Sequence, residues 1–308
     1  MAGIYIHIPF CKKACVYCDF HFSTSFKNKE KIVDAICKEL IQRKNYLEST
    51  KIHTIYFGGG TPSVLTQSEL NKILELVFTE YSVDENPEIT LEANPDDLTF
   101  EKLEMLKKNK INRLSIGIQS FVARDLTFMN RSHTIKQAVD CVAIAKQLGF
   151  NNITIDLIYG IPNLSMKEWE NNINKALSLD VNHISAYCLT SEERTQMHHE
   201  IAKGNYQLPT DKITSQQFTV LIDSLKENGY EQYEISNFAK IGHESKHNSS
   251  YWKQTHFLGI GPSAHSFNGK TRRWNVSNNA RYLKGATTND WVFEEEVLDE
   301  KTRYNEYV

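Results

Sequence analysis

The 308-residue chain has no excess of either charge: 35 Lys and Arg stand against 38 Asp and Glu, for a net charge of −3. A nucleic-acid partner would call for a basic patch, and none is visible. No apolar run approaches the roughly 20 residues of a membrane span. The opening Met-Ala-Gly-Ile-Tyr-Ile-His-Ile-Pro carries no basic stretch ahead of an apolar one, so no secretory signal is expected. Cysteine is scarce, with six residues in all. In a large chain that is not exported, these read as thiols or metal ligands and not as disulfides, which makes the cytoplasm the expected location. The remaining composition, 40% hydrophobic and 24% charged, is that of an ordinary soluble protein.

Half of the scarce cysteines fall within eight residues. Cys11, Cys15 and Cys18 form C-x3-C-x2-C, and no fourth cysteine is near. A structural zinc would need a second pair downstream at a fitting spacing. Cys37, Cys141 and Cys188 form no such pair, and each lies in a helix or strand pattern where a buried thiol is the ordinary reading. Iron–sulfur clusters are held by cysteine thiolates. Three close ligands suit a [4Fe–4S] cube whose fourth iron lacks a protein ligand and stays open to a small molecule.

The first 190 residues alternate β-like runs with helical stretches. The runs are Ile4–Ile8, Thr54–Phe57, Glu88–Glu92, Arg113–Ile118, Asn152–Ile158 and His183–Leu189. The spacing of Ile32, Ala35, Ile36, Leu40 and Leu47 predicts a helix over Lys29–Leu47. Thr66-x-x-Glu69, Thr134-x-x-Gln137 and Ser165-x-x-Glu168 each predict a helix start, because the two side chains satisfy each other's backbone donors. Strand, loop, capped helix and strand is the rhythm of a parallel sheet. Six units are too few for an eight-unit barrel, so the expected fold is α/β, a partial (β/α)6 barrel. From about Tyr230 the pattern turns Tyr-, Asn- and Gly-rich with few helical cues. This predicts a core over 1–230 and an accessory region over 231–308, whose end reads as the first turns of a helix and as truncated.

In such folds active groups sit on loops after the C-terminal ends of the strands. The first run feeds directly into Cys11. The second ends in Gly58-Gly59-Gly60-Thr61-Pro62, where missing Cβ atoms would let backbone approach a ligand. The third places Glu92 at its tip, the fourth Gln119, and the fifth carries Asp156 in an apolar run, where a carboxylate without a partner is costly. Asp156 suits a ribose hydroxyl, or a structural ion pair. Arg131 follows the fourth run and could take a ligand carboxylate by paired hydrogen bonds. A ligand with an amine, a carboxylate and a ribose that also binds iron fits this rim, and S-adenosylmethionine has all of these.

Cys11-x3-Cys15-x2-Cys18 behind Tyr5-Ile6-His7-Ile8-Pro9-Phe10, with Gly58 to Ser63, resembles the radical SAM superfamily. Leu91 to Pro95, Asp156 to Pro162, His247 to Trp252 and Gly259 to Ala264 narrow the resemblance to the branch of oxygen-independent coproporphyrinogen III oxidase and the haem chaperone HemW. The resemblance implies that Cys11, Cys15 and Cys18 hold a [4Fe–4S] cluster with S-adenosylmethionine on the fourth iron. It implies further that Tyr5, Gly59, Gly60, Thr61, Glu92, Gln119, Arg131 and Asp156 contact S-adenosylmethionine. His247, Tyr251 and Trp252 resemble a haem-binding motif, His247 being the possible axial ligand. The oxidase carries a fourth cysteine where this chain has Phe20, and a longer segment before its cluster. Both departures favour a haem chaperone, working with a haem-accepting apoprotein and an electron donor for the cluster, over decarboxylation of coproporphyrinogen III.

Overall fold

The structure, a computed structural model, describes residues 2–48 and 50–307. Its strands are β1 (Ala2–Ile8), β2 (Ile52–Gly59), β3 (Val83–Ala93), β4 (Arg113–Gln119), β5 (Ile153–Tyr159), β6 (His183–Cys188), β7 (Glu231–Gln232), β8 (Asn237–Ala239), β9 (His256–Ile260), β10 (His265–Phe267), β11 (Thr271–Asn275) and β12 (Phe293–Val297). Helices α1 (Lys29–Gln42), α2 (Gln67–Glu80), α3 (Phe100–Lys108), α4 (Ala123–Phe128), α5 (Ile135–Gln147) and α6 (Met166–Ser178) lie between the first six strands, α4 and α5 both between β4 and β5. Helices α7 (Gln196–Ala202), α8 (Asp211–Glu227), α9 (Lys246–Trp252), α10 (Asn279–Thr288) and α11 (Glu300–Tyr307) follow.

All twelve strands form one sheet, in the order β12-β11-β10-β9-β1-β2-β3-β4-β5-β6-β8-β7. Strands β1 to β6 are parallel and pair in sequence order. The other neighbour of β1 is β9, parallel to it, and that of β6 is β8, antiparallel. Among the described residues nothing joins β1 to β6, so the (β/α)6 unit stays open. The strands within residues 231–297 therefore extend both edges of the sheet, β7 and β8 on one side and β9 to β12 on the other.

The six strands read as apolar but are two-sided. Ile55, Phe57, Ile89, Leu91, Leu114, Ile116, Ile155 and Ile184 are buried under the helices. The alternate positions Tyr56, Thr90, Glu92, Ser115, Thr154, Asp156 and Ser185 face the inside, because side chains alternate across a strand. All three helix starts read from Thr66, Thr134 and Ser165 are capping boxes with both reciprocal bonds formed. Helix α1 ends at Gln42, five residues before the expected Leu47. There the chain breaks into turns, and Leu47 reaches the core from one of them.

The C-terminal extension is tied to α1 by a buried charge network. Glu39 is fully buried and accepts from Arg43 Nη1 at 3.1 Å, Asn275 Nδ2 at 2.7 Å, Tyr282 Oη at 2.7 Å and the Gly261 amide at 2.9 Å. Arg43 in turn donates to Gly259 O at 2.8 Å and Ser266 Oγ at 3.0 Å.

Candidate functional site

The cysteine loop leaves the C-terminal end of β1 and returns at Ser23. Its base is closed by Cys11 N to Ser23 O at 3.0 Å and Ser23 N to Pro9 O at 2.9 Å. Its far side is held by Asn130 Nδ2 to Ala14 O at 2.7 Å and by Met197 N to Val16 O at 2.9 Å. These fixings use backbone groups and leave the three thiols free, all of them half-buried. Cys11, Cys15 and Cys18 open on one cavity of about 520 Å³, in company with Gly59, Gly60, Thr61, Glu92, Gln119, Arg131 and Asp156.

The glycine-rich loop is laced to the cysteine loop. Gly60 N donates to Ile8 O at 2.9 Å and Thr61 N to Phe10 O at 2.8 Å. A Cβ on Gly60 would stand 2.8 Å from Ile8 O and from the Phe10 backbone. Gly59 has φ +106°, and a Cβ there would meet the His7 ring at 2.6 Å. Two of the three glycines are thus needed for contact between loops, and both also line the cavity.

The inner face supplies the carboxylates. Glu92 accepts from Tyr56 Oη at 2.8 Å, and burial pushes its carboxyl up to about 7 against the pull of that bond. Asp156 has Ser115 Oγ at 3.4 Å, and burial pushes it up to about 6, with the Ser185 and Ser115 hydroxyls opposing. No cation pairs with either carboxylate among the described ion pairs. Gln119 stands at a bulge between β4 and β5 with φ +69°, a left-handed backbone that turns its side chain toward Gly117. Arg131 donates from Nη2 to Asn94 Oδ1 and to Gly117 O, both at 2.7 Å. Its Nη1 lies 3.2 Å from Cys15 Sγ, while its buried Nε has no hydrogen-bond partner among the described residues.

This donor set fits an iron–sulfur cube. The guanidinium beside Cys15 and the Thr61 hydroxyl 3.3 Å from Cys11 Sγ favour sulfur carrying negative charge. Burial pushes the Cys18 thiol up to about 12, so iron binding must displace its proton. Among the described residues no three His, Cys, Asp or Glu side chains converge on a single metal ion. A cube asks for no such convergence, since each thiolate binds a different iron.

Tyr5 and the three aromatic-motif residues stand apart from this cavity. Tyr5 faces a second cavity and lies 6.0 Å from the Tyr56 ring. His247 is buried beneath the sheet's inner face, with Nδ1 2.8 Å from Thr54 Oγ1 and Nε2 3.0 Å from Tyr251 Oη. Burial lowers its imidazole to about 3, so the ring is neutral. Glu88 holds it there by accepting from the amides of Lys246 and His247. Trp252 is 58% exposed on the far side of α9. Tyr56, Ser115, Ser185 and Tyr187, not among the residues expected at the site, also line the first cavity. Their signal was the polar residue at every second position of otherwise apolar runs. Cys188, expected in the core, is half-buried at the same rim.

An open parallel sheet with a three-cysteine loop after its first strand is the architecture of one class of protein, and a family comparison agrees. The Radical SAM superfamily model matches residues 5–176, so the chain belongs to that superfamily, whose members carry a [4Fe–4S] cluster and S-adenosylmethionine. Within it the chain falls in the family of the heme chaperones HemW. It is 37% identical to Heme chaperone HemW of Bacillus subtilis over 285 residues, 92% of this chain and 75% of that protein. With Heme chaperone HemW of Lactococcus lactis it shares 37% over 302 residues, 98% of this chain and 79% of the relative. The structure of coproporphyrinogen III oxidase (HemN) from Escherichia coli, a radical SAM enzyme, superposes with TM-score 0.86 at 21% identity. That match covers 98% of this chain and 73% of the oxidase, and shows a shared fold.

Proposed function

We propose that this chain is a haem chaperone that carries a [4Fe–4S] cluster on Cys11, Cys15 and Cys18, binds S-adenosylmethionine at the adjoining rim, and delivers haem to an acceptor apoprotein. One observation carries the cofactor assignment: three thiols and two inner-face carboxylates, Glu92 and Asp156, open on the same cavity. When bound, the cluster supplies an electron to the sulfonium of S-adenosylmethionine. The chain's own residues position that molecule. Glu92 and Asp156 accept from its amine and ribose hydroxyls, and Arg131 offers its unpartnered Nε. Gly59, Gly60 and Thr61 form the wall, with Gln119 opposite. Tyr5 acts at one remove, through its stacking on Tyr56.

The haem half of the reading is supported by the names of the relatives and by Phe20, which stands where the resembled oxidase has a cysteine. Residues 1–230 form the cofactor core in this reading, and 231–308 the part that adapts it to haem. An electron donor for the cluster completes the system. A cytoplasmic setting fits six cysteines that form no disulfide. Among the described residues, no helix is long and apolar enough to cross a membrane.

Anaerobically reconstituted protein given haem should bind it and pass it to a haem-free globin. Given coproporphyrinogen III, S-adenosylmethionine as the radical source and oxidant, and a reductant for the cluster, it should yield no protoporphyrinogen. Protoporphyrinogen formation by a protein that takes up no haem would replace the chaperone by the oxidase.

The two carboxylates give the site a pH dependence. Hydrogen bonds from an amine or hydroxyl favour the ionised carboxylate, and ionisation in the free protein is held back to about 6 at Asp156 and about 7 at Glu92. Affinity for S-adenosylmethionine should therefore rise as pH climbs through these values and level off above them, as followed by calorimetry. In Asp156→Ala the lower step should vanish and affinity should fall by about 1.5–3 kcal/mol, the worth of a hydrogen bond to a charged group. A flat profile in the wild type would remove both carboxylates from the ligand.

A further inference from the structure

We infer that haem binds in the second cavity, between the cysteine loop and the C-terminal extension, with His265 as the axial ligand of its iron. This rests on the haem-chaperone reading and assigns that reading a site.

The cavity measures about 630 Å³, within the roughly 300–1,000 Å³ of small-molecule and cofactor sites. Its walls are largely aromatic. Tyr5, Tyr251 and Phe257 stand on the sheet side and Phe20 on the loop side. Tyr251 and Phe257 meet edge to face at 4.7 Å. Flat apolar faces of this kind match a porphyrin ring. Arg194 at the mouth matches a propionate, and the Ser263 and Ser277 hydroxyls, 3.0 Å apart, add polar contacts at the rim.

Three imidazoles reach the cavity, and their partners separate them. His7 is tied at both nitrogens, to Tyr5 Oη at 3.2 Å and to His21 O at 2.9 Å. The Nε2 of His21 is tied to Asn279 Oδ1 at 2.8 Å. His265 forms no side-chain hydrogen bond among the described residues. It stands exposed on β10, stacked 5.8 Å from Trp274, so its ring is oriented while both nitrogens are free. His247 is the contrasting case, with both nitrogens engaged and the ring buried. Among the described residues no group of three ligating side chains is arranged for a bare metal ion. An iron that brings four porphyrin nitrogens of its own needs only one such side chain. Asp19 and Phe20 line this cavity and the first one alike, so a haem here would lie against the loop that carries the cysteines.

The test is titration of the cluster-reconstituted protein with ferric haem, read by absorption and by affinity. Wild type should bind one haem with a histidine-ligated spectrum. H265A should lose that spectrum, with an affinity loss larger than the roughly 10–100-fold that follows removal of an outer partner of a metal ligand. H265C should restore binding with a thiolate-type spectrum, which a merely structural role for His265 would not produce. S277W, which fills the rim, should weaken binding without changing the ligation. H21A and H247A should keep the wild-type spectrum. If H265A binds like wild type, or if H21A or H247A is the variant that changes ligation, the assignment is overturned while the chaperone reading stands. No haem uptake by wild type would overturn both.

Discussion

Cys15→Ala should leave anaerobically reconstituted protein without its cluster, measured as iron content and visible charge-transfer absorption against about four irons in the wild type. Cys15 is the cysteine whose sulfur lies beside the Arg131 guanidinium, and it stands mid-loop between Cys11 and Cys18. With one thiolate gone, two irons of the cube would lack a cysteine ligand, and the loop offers no further thiol: Phe20, two residues after Cys18, has no donor. Cys11→Ala and Cys18→Ala should behave alike. Cys37→Ala should keep its iron, because Cys37 is buried in α1 away from the cavity. Full cluster occupancy in Cys15→Ala would refute the assignment. The loop itself should persist without the cluster, since its closing hydrogen bonds are backbone bonds at Pro9, Cys11 and Ser23.

The largest loss of stability is expected at a residue far from any cofactor. Glu39→Ala would strand Arg43 as an uncompensated buried charge and leave the Tyr282 hydroxyl, the Asn275 amide and the Gly261 N–H without their acceptor. Removing one partner of a buried pair costs about 3–5 kcal/mol. Urea unfolding should show that loss as a shifted midpoint. Asp140→Ala is the comparison, since Lys136 and Asp140 form an exposed pair on α5 whose loss should cost under about 1 kcal/mol. Equal midpoints for the two variants would mean that the network around Glu39 does not hold the extension to the core.

The sequence was most legible where a local rule acts alone. Thr66, Thr134 and Ser165 mark helix starts because the capping bonds are made within four residues. The six parallel strands are readable because the helices cover one face and the other turns inward, which leaves runs rich in apolar residues. The inner-face polar residues interrupt those runs at period two, and Asp156 stood out for its charge where Ser115 and Ser185 did not. What escaped was decided by distant contacts. His247 reads as an available ligand in a polar stretch, but Glu88 and Thr54, 159 and 193 residues earlier, fix its backbone and ring, and Tyr251, one turn on in α9, takes its other nitrogen. Strands β7 to β12 are two to five residues long, too short to show alternation, and their pairing to opposite edges of the sheet leaves no local trace. The glycines at 59 and 60 had a legible purpose, close approach, although part of what approaches is the neighbouring loop.

The pairing of β1 with β9 has a consequence for how the protein is made. Ala2 through Ile6 lie beside His256 through Ile260, so once β1 has left the ribosome it gains its second neighbour only when some 250 further residues have been synthesised. At about 5–20 residues per second this interval lasts on the order of tens of seconds. During it β1 is an edge strand with unpaired backbone groups, and the cysteine loop hangs from that open edge. Cluster assembly thus meets two different substrates: before residue 256 is made, a loop on an unfinished sheet, and afterwards the same loop with its supporting strand enclosed on both sides.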